Sequence, residues 1–321
     1  MRITNKMLSD NFLRDMRTNL TGISKIQGQL SSGKEIRRPS DNPFKVARAM
    51  MLKTEIKANA QYNTNITDTI NWLDTTDTAL NQGGNVLQRV RELIISSGNA
   101  AYGSSERAAI KDEINEKVGE LAQILNTNFD GKYVFAGSRG TTKPLGSEKV
   151  NGNTELFFTD REGNRLSSDL ELNMLGKKLS VEISQGVTMD YNVTATELLE
   201  FKDREGNRIK LQDIFKNITS HLDSENPEDT EKLISSDLED VTTAIDNLLR
   251  IRSEVGAKQN RMDAAKEKNE DENLNLKELL SETEDIDIAE KVMEYSMAQT
   301  VYMAALQTSA KIIQPSLMDY L

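Results

Sequence analysis

The chain has 321 residues, carries a formal net charge of -11 at pH 7, and is 37% hydrophobic but only 5% aromatic. An acidic chain lacks the basic face that phosphate recognition requires, so we expect no nucleic-acid partner. The sequence contains no cysteine and a single histidine, His221. This excludes disulfides, thiolate metal sites and a cysteine nucleophile, and it leaves little general-base chemistry. We therefore expect no cofactor, no bound metal and no catalytic residues.

The distribution of apolar residues disfavours two further possibilities, a membrane-spanning helix and a cleaved secretion signal. No stretch reaches the roughly 20 apolar residues of a membrane-spanning helix, so no membrane partner is expected. Residues 1–30 also lack the unbroken run of about 7 to 15 apolar residues found in a cleaved secretion signal. The chain is therefore expected to be soluble or to be exported by a route that needs no such signal.

The first predicted helix forms an N-terminal arm. Its seam residues follow one another at steps of three and four, as on one face of a coiled-coil helix: Leu13, Met16, Leu20, Ile23, Gln27 and Leu30. Gly33 is predicted to end this helix, because a residue without Cβ enters the left-handed conformation freely. Pro39 and Pro43 keep the next segment extended. Asn42 is predicted to cap a second helix that starts at Pro43.

The second helix is predicted to continue to about Gly98. Every seventh residue defines its seam, six of the seven being apolar: Leu52, Asn59, Ile66, Leu73, Leu80, Leu87 and Ile94. The pair Gly83 and Gly84 is its weak point, and the sequence leaves open whether this pair bends or interrupts the helix. A third helix is predicted from a cap at Ser104 or Ser105 to Asn128.

A β-rich region is predicted from about Phe129 to residue 196, where Gly, Asn and Thr become frequent. The string DREGNR occurs at residues 160–165 and again at 203–208, which predicts two related hairpins. A calcium loop is the alternative, but the EF-hand pattern requires glycine at position 6 and glutamate at position 12. An enzyme that uses Asp160, Glu162 and Glu205 is disfavoured, because no carboxylate pair lies where its pKa would shift.

Helical periodicity returns after Pro227, with a seam of Ile234, Leu238, Val241, Ile245, Leu248, Val255 and Met262. The last predicted helix forms a C-terminal arm that ends before Pro315. Its seam steps by four and three: Ile288, Val292, Tyr295, Gln299, Tyr302, Leu306, Ser309 and Ile313. Residues 1–40 carry eight basic against three acidic side chains, and residues 286–321 carry two against four. The two arms are thus expected to pair with each other.

Four segments resemble the flagellin superfamily. LSSGKEIRRPSDNP at residues 30–43, followed by FKVA, is similar to its N-terminal signature. The other three resemble its rod helix, the turn out of its helical core and the entry to its C-terminal arm: residues 87–93, 128–137 and 284–290. The RPSDNP run and residues 310–321 are most similar to the superfamily's hook-filament junction branch. Glu35 and Asn42 depart from the residues commoner in that branch, and both changes suit a protein surface.

The resemblance implies a mainly α fold with a small β-rich insertion, in an elongated rod of long coiled-coil helices from both termini. It divides the chain into five segments: an N-terminal axial arm and joint at 1–42, two halves of a helical rod at 43–137 and 228–283, a β-rich outer domain at 138–227, and a C-terminal axial arm at 284–321. The joint comprises Gly33, Pro39, Asp41, Asn42 and Pro43. The axial contacts are assigned to Leu13, Met16, Leu20, Ile23, Leu30, Ile288, Val292, Tyr295, Tyr302, Leu306 and Ile313.

The resemblance also implies an extracellular structural subunit of the bacterial flagellum, exported unfolded through a type III apparatus. Its expected partners are further copies in a ring, a hook-associated protein on the hook side, and flagellin or a second junction layer on the filament side. An export chaperone is a further candidate partner. A filament-forming flagellin and a free-standing coiled-coil adaptor remain as alternatives.

Overall fold

The computed structural model describes residues 5–98, 103–202, 206–224 and 226–312. These residues form long helices and four short antiparallel hairpins, which confirms the mainly α fold with a β-rich insertion. By packing they fall into two units. Unit 1 combines the residues up to Ala60 with those from Asp271 onward, and unit 2 comprises Gln61–Glu270. The boundaries between these units, at 60/61 and 270/271, fall inside the predicted segments 43–137 and 228–283.

The helices are named in chain order. They are α1 Asn5–Ser32, α2 Pro43–Ser97, α3 Ser104–Leu125, α4 Asp169–Leu175, α5 Ala195–Leu199, α6 Leu211–Asp223, α7 Pro227–Lys232, α8 Leu238–Glu284 and α9 Ile288–Ile312. A π-helical turn, Leu233–Asp237, joins α7 to α8. The hairpins pair β1 Asn128–Phe129 with β2 Lys132–Tyr133, β3 Leu145–Val150 with β4 Asn153–Phe158, β5 Ser180–Ser184 with β6 Val187–Asp190, and β7 Glu200–Lys202 with β8 Arg208–Lys210.

Helix α2 continues without interruption through Gly83 and Gly84. A Cβ atom at Gly83 would lie 3.5 Å from Cδ1 of both Leu121 and Leu248, so this glycine lies where α3 and α8 approach α2. All seven predicted seam residues of α2 are buried, from Leu52 to Ile94. The predicted helix and its seam are therefore confirmed, and the two glycines are packing positions within it.

The start and end of α3 differ from the prediction. The helix begins after Gly103, whose backbone N–H donates to the Glu106 carboxylate at 2.9 Å. The Glu106 carboxylate thereby satisfies the backbone N–H of Gly103, which a serine cap at position 104 or 105 would leave without a partner. The helix ends at Leu125, and Asn128, the predicted last residue, belongs to strand β1 instead.

One hydrophobic core fills unit 2, with side chains from α2, α3, the hairpins, α6 and α8. Helix α6 was not predicted, although its buried residues follow helical spacing: Leu211, Ile214, Phe215, Ile218 and Leu222. The first DREGNR string, residues 160–165, forms a turn closed by the antiparallel bridge between Thr159 and Arg165, with positive φ at Gly163, which confirms the turn predicted there. The second string is described only from Gly206 onward, since residues 203–205 lie outside the described ranges. Gly206 also has positive φ, and Arg208 pairs with Lys202.

The π-helical turn explains one error in the predicted seam after Pro227. Val241, Ile245, Leu248, Val255 and Met262 are buried as predicted, but Ile234 is 44% exposed and Leu233 is buried in its place. A π-helical turn accommodates one extra residue and so rotates the preceding side chains relative to α8.

Candidate assembly surface

The predicted joint begins where α1 ends. Gly33 has φ +69°, and its N–H donates to the Gln29 carbonyl at 2.8 Å. This is the left-handed termination for which glycine is favoured. The predicted stop at Gly33 is confirmed.

Two side chains organise the rest of the joint. One carboxylate oxygen of Asp41 accepts the backbone N–H groups of Arg37 at 3.1 Å and Arg38 at 2.9 Å. The N–H groups of Arg38 and then Arg37 stabilise the charged carboxylate, which lowers the pKa of Asp41. Asn42 Oδ1 accepts the Lys45 N–H at 3.2 Å, and α2 begins at Pro43. The predicted helix cap is therefore confirmed.

A contact that was not predicted fastens this joint to the start of the C-terminal arm. The N–H of Glu35 donates to the carbonyl of Glu284 at 2.7 Å, and the N–H of Ile286 donates to the carbonyl of Gly33 at 3.2 Å. Lys34 and Asp285 thus form a short antiparallel bridge. The buried amide of Gln29 supports it by donating to the Glu35 carbonyl at 2.8 Å.

Charged side chains reinforce this bridge. Lys34 Nζ lies 2.6 Å from Asp285 Oδ1. The hydrogen bond between them raises the pKa of Lys34 and lowers the pKa of Asp285. The largely buried Glu284 carboxylate lies 2.7 Å from Lys53 Nζ on α2. The four residues therefore tie α1, α2 and α8 together at one point of unit 1.

The two arms pack against each other in unit 1, as predicted from their heptads. The partly buried residues of α1 step by four and three: Phe12, Met16, Asn19, Ile23, Ile26 and Leu30. Those of α9 follow the same spacing: Lys291, Tyr295, Ala298, Tyr302, Ala305 and Ser309. We call these two rows the inner seam. It includes Met16, Ile23, Leu30, Tyr295 and Tyr302 from the predicted set.

The other predicted contact residues remain exposed. Leu13 is 49% exposed, Leu20 52%, Ile288 65%, Val292 47% and Leu306 44%. We call these five the outer stripe. Ile313 lies outside the described residues. The single seam predicted on each arm is thus two rows. On α1, Leu13 and Leu20 directly follow the inner-seam residues Phe12 and Asn19. On α9, apolar residues occur around most of the circumference of the helix.

A shallow cavity of about 360 Å³ lies between the arms. Its walls include Gly22 and Ile23 of α1 and Met297 and Val301 of α9. A Cβ atom at Gly22 would meet nothing within 4 Å. Pairing within one copy therefore leaves the arms with unfilled apolar surface.

Other kinds of site receive little support from the described part of the chain. Within it, no three His, Asp or Glu side chains are grouped as a metal site requires. Among the same residues, no helix is long and apolar enough to cross a membrane. His221 is engaged in the fold, with Nδ1 at 2.6 Å from the buried Asp237 of the π-helical turn.

These features define an assembly protein whose terminal helices pair but keep apolar surface exposed. The model of the bacterial flagellin N-terminal helical region matches residues 3–140, and that of the flagellin C-terminal helical region matches residues 238–321. Together they cover more than two thirds of the chain, which belongs to the bacterial flagellin family.

Individual relatives match over nearly their whole length. Flagellar hook-associated protein 3 of Escherichia coli is 24% identical over 315 residues, or 97% of this chain and 95% of the relative. Flagellin of Bacillus subtilis is 25% identical over 303 residues, covering 92% and 91%. Among solved structures, hook-associated protein 3 of Legionella pneumophila is 13% identical with a TM-score of 0.59, covering 73% of this chain and 98% of that one. The last comparison shows a shared fold.

Proposed function

We propose that this chain is a structural subunit of the bacterial flagellum that joins the hook to the filament. The observation that carries the proposal is the pair of terminal arms, which contact each other through the inner seam and leave the outer stripe exposed. Full-length similarity to hook-associated protein 3 of Escherichia coli supports the junction over other positions in the flagellum. The role is structural rather than catalytic, and the place of action is extracellular.

In this proposal the outer stripe is covered by neighbouring subunits. Fully burying a leucine or isoleucine side chain stabilises by about 1.5–3 kcal/mol, and these five side chains are already about half buried. Covering the rest contributes roughly 1 kcal/mol each, which is sufficient in sum to order arms that are marginal in isolation. The neighbours are further copies in a ring, a hook-associated protein on one side, and flagellin or a second junction layer on the other.

The bridge between Lys34 and Asp285 gives this subunit a fixed connection between its arms and its long helices. It holds the end of α1 beside the end of α8, so that the two arms join the long helices α2 and α8 at the same place. A load on either arm is therefore shared by α2 and α8. This arrangement suits a joint between two mechanical parts.

A filament-forming flagellin is the second candidate, and it is favoured by the similarity to Bacillus subtilis flagellin over 92% of this chain. The two candidates differ in self-assembly. A junction subunit stops after a closed layer, whereas a flagellin continues to polymerise. Purified chain at high concentration should therefore give no long filaments, and their formation would favour the flagellin candidate.

Deletion of the gene tests the proposal in the cell. The expected phenotype is cells with hooks but without filaments, and with flagellin released into the medium. The unaltered gene should restore filaments. Filaments of normal length in the deletion strain would contradict the proposed junction role.

A further inference from the structure

A cavity in unit 2 lies between α2 and two of the hairpins. Its volume of about 630 Å³ falls within the range of pockets that bind small molecules. Three aromatic and three charged side chains line it: Asp68 and Trp72 on α2, Phe129, Asp130 and Lys132 on the β1–β2 hairpin, and Tyr191 after β6. We call this space the Trp72 cavity.

The aromatic residues of the Trp72 cavity form one cluster. The ring centroid of Trp72 lies 6.0 Å from that of Phe129 and 5.7 Å from that of Tyr191, and both pairs of rings are inclined at 86°. The face of an aromatic ring carries partial negative charge, and rings at right angles turn their faces in different directions. The cluster therefore attracts a cation that comes within about 6 Å of a ring centroid.

Trp72 has a further feature that sets this cavity apart from the rest of the core. Its side chain is buried, and its indole N–H has no hydrogen-bond partner among the described residues. Buried donors are rarely left unpaired, so the chain's own groups do not complete the surroundings of this ring. Trp72 is also the only tryptophan in the sequence, and its signals therefore report on this cavity alone.

The carboxylates at the cavity have no counter-charge of their own. Asp68 and Asp130 are exposed, and neither forms an ion pair with another described residue. Lys132 is also exposed and without an ion pair among those residues. Two carboxylates against one ammonium group leave the cavity with a net negative charge, so its electrostatic complement is a cation.

The turn between β1 and β2 fixes one of these carboxylates. Asp130 and Gly131 have φ of +50° and +75° and connect the paired residues Phe129 and Lys132. Two residues with positive φ are the usual connection of a tight hairpin. The N–H of Gly131 also donates to Asn128 Oδ1 at 3.0 Å. Asp130 is therefore held beside the aromatic cluster before any ligand arrives.

Other classes of ligand match these groups less well. An anion would be repelled by Asp68 and Asp130. A metal ion requires a third ligand, and no group of three His, Asp or Glu side chains occurs in the described part of the chain. A neutral apolar molecule would make no use of the carboxylates.

We propose that the Trp72 cavity binds an organic cation, a small molecule with an ammonium group, beside the aromatic cluster and the carboxylates of Asp68 and Asp130. Lys132 repels the same group and lowers its affinity. Because both carboxylates are exposed, salt weakens the binding. The site belongs to unit 2 and does not depend on the proposed junction role.

Titration of the purified full chain with choline tests the proposal. Two signals follow the binding: the fluorescence of Trp72 and its indole N–H peak in a nitrogen–proton NMR correlation spectrum. Sodium chloride keeps the ionic strength constant through the titration. Choline should shift both signals in a saturable way. Its uncharged carbon isostere, dimethylbutanol, has the same shape and should leave them unchanged.

Charge substitutions with opposite expected effects identify the residues. Asp68→Asn combined with Asp130→Asn should weaken choline binding by about tenfold, because both attractive charges are lost. Asparagine also tolerates the positive φ at position 130. Lys132→Gln should strengthen binding by about threefold, because it removes a repulsive charge. Asp112→Asn removes an exposed carboxylate of α3 that does not line the cavity, and it should leave the affinity unchanged.

Several results would overturn the cation site. These are the absence of a saturable shift up to about 0.1 M choline, an equal response to dimethylbutanol, and unchanged affinity in the double asparagine variant. Choline binding that leaves the Trp72 peak unmoved would place the site elsewhere and would also refute it. Each variant should melt within a few degrees of the unaltered chain, because exposed substitutions usually change stability little.

Discussion

Two glycines of the N-terminal arm should respond to alanine with opposite signs. Gly33 has φ +69°, and an added Cβ would meet nothing within 4 Å. The cost of Gly33→Ala is therefore backbone strain alone, about 1–2 kcal/mol for an L-residue in the left-handed region. Gly22 lies inside α1, and its Cβ would also meet nothing within 4 Å. Gly22→Ala should stabilise α1 by about 1 kcal/mol, the difference in helix propensity.

Hydrogen exchange of two backbone amides measures this effect at the joint. The N–H groups of Glu35 and Ile286 close the bridge to the C-terminal arm, and both depend on the conformation of Gly33. Gly33→Ala should make them exchange roughly 5 to 30 times faster, the factor that corresponds to 1–2 kcal/mol. Gly22→Ala should not accelerate them. Unchanged exchange in Gly33→Ala would show that the left-handed turn does not hold the joint together.

Three other perturbations have defined outcomes. Gly83→Ala should raise the free energy of unfolding of unit 2 by about 1–2 kcal/mol, as measured in a denaturant titration. The gain comes from the higher helix propensity of alanine and from burying a methyl group at an ordinary contact distance from its neighbours. A loss of stability would mean that the helices approach too closely for a methyl group. Leu20→Asp or Leu306→Asp should abolish assembly on hooks while changing the thermal unfolding of the monomer little, because both side chains are about half exposed; a large fall in melting temperature would place them in the monomer core. The pKa of Asp285 is lowered, so the contribution of this carboxylate to the stability of the bridge is present above its ordinary pKa of about 3.9 and is lost as the pH falls through the lower folded value. The pKa of Lys34 is raised, so the contribution of this ammonium group is present below its ordinary pKa of about 10.4 and is lost as the pH rises through the higher folded value. After correction for intrinsic exchange rates, the Glu35 amide should be most strongly protected from hydrogen exchange between these two pH limits. The electrostatic effect should be under about 1 kcal/mol, because the ion pair is exposed. Protection that stays constant below pH 3 would exclude the ion pair as its source.

The helices were predictable because their signals are local and repeated. The α2 seam recurs every seventh residue from Leu52 to Ile94, and each of these residues is buried. Gly33 and Asn42 were predictable for a similar reason. Glycine readily adopts the left-handed conformation that ends a helix, and an asparagine side chain accepts a backbone N–H at the start of a helix. Family resemblance added the connection between these local features and an assembled structure.

The features that were missed depend on contacts between distant parts of the chain. Lys34 and Asp285 are far apart in the sequence but adjacent in the structure, and neither belongs to a local sequence pattern that identifies the other as its partner. The π-helical turn places Asp237 against His221 and exposes Ile234, whereas a strict helical period predicts Ile234 as buried. The division of the arms into an inner seam and an outer stripe also depends on tertiary packing, because Leu20 fits a heptad as well as Asn19 does.

These findings assign different tasks to the two rows of the arms. The inner seam and the Lys34–Asp285 bridge hold one subunit together. The outer stripe remains available to neighbours. A surface with this much unfilled apolar area is unusual for a protein that acts alone.

The position of the protein in isolated hook-filament structures tests the central claim most directly. Gold-labelled antibodies against unit 2 would be viewed by electron microscopy on flagella from wild-type cells. A junction subunit predicts label confined to a thin band at the distal end of the hook. Label distributed along the filament would contradict the proposed function and identify a filament flagellin instead.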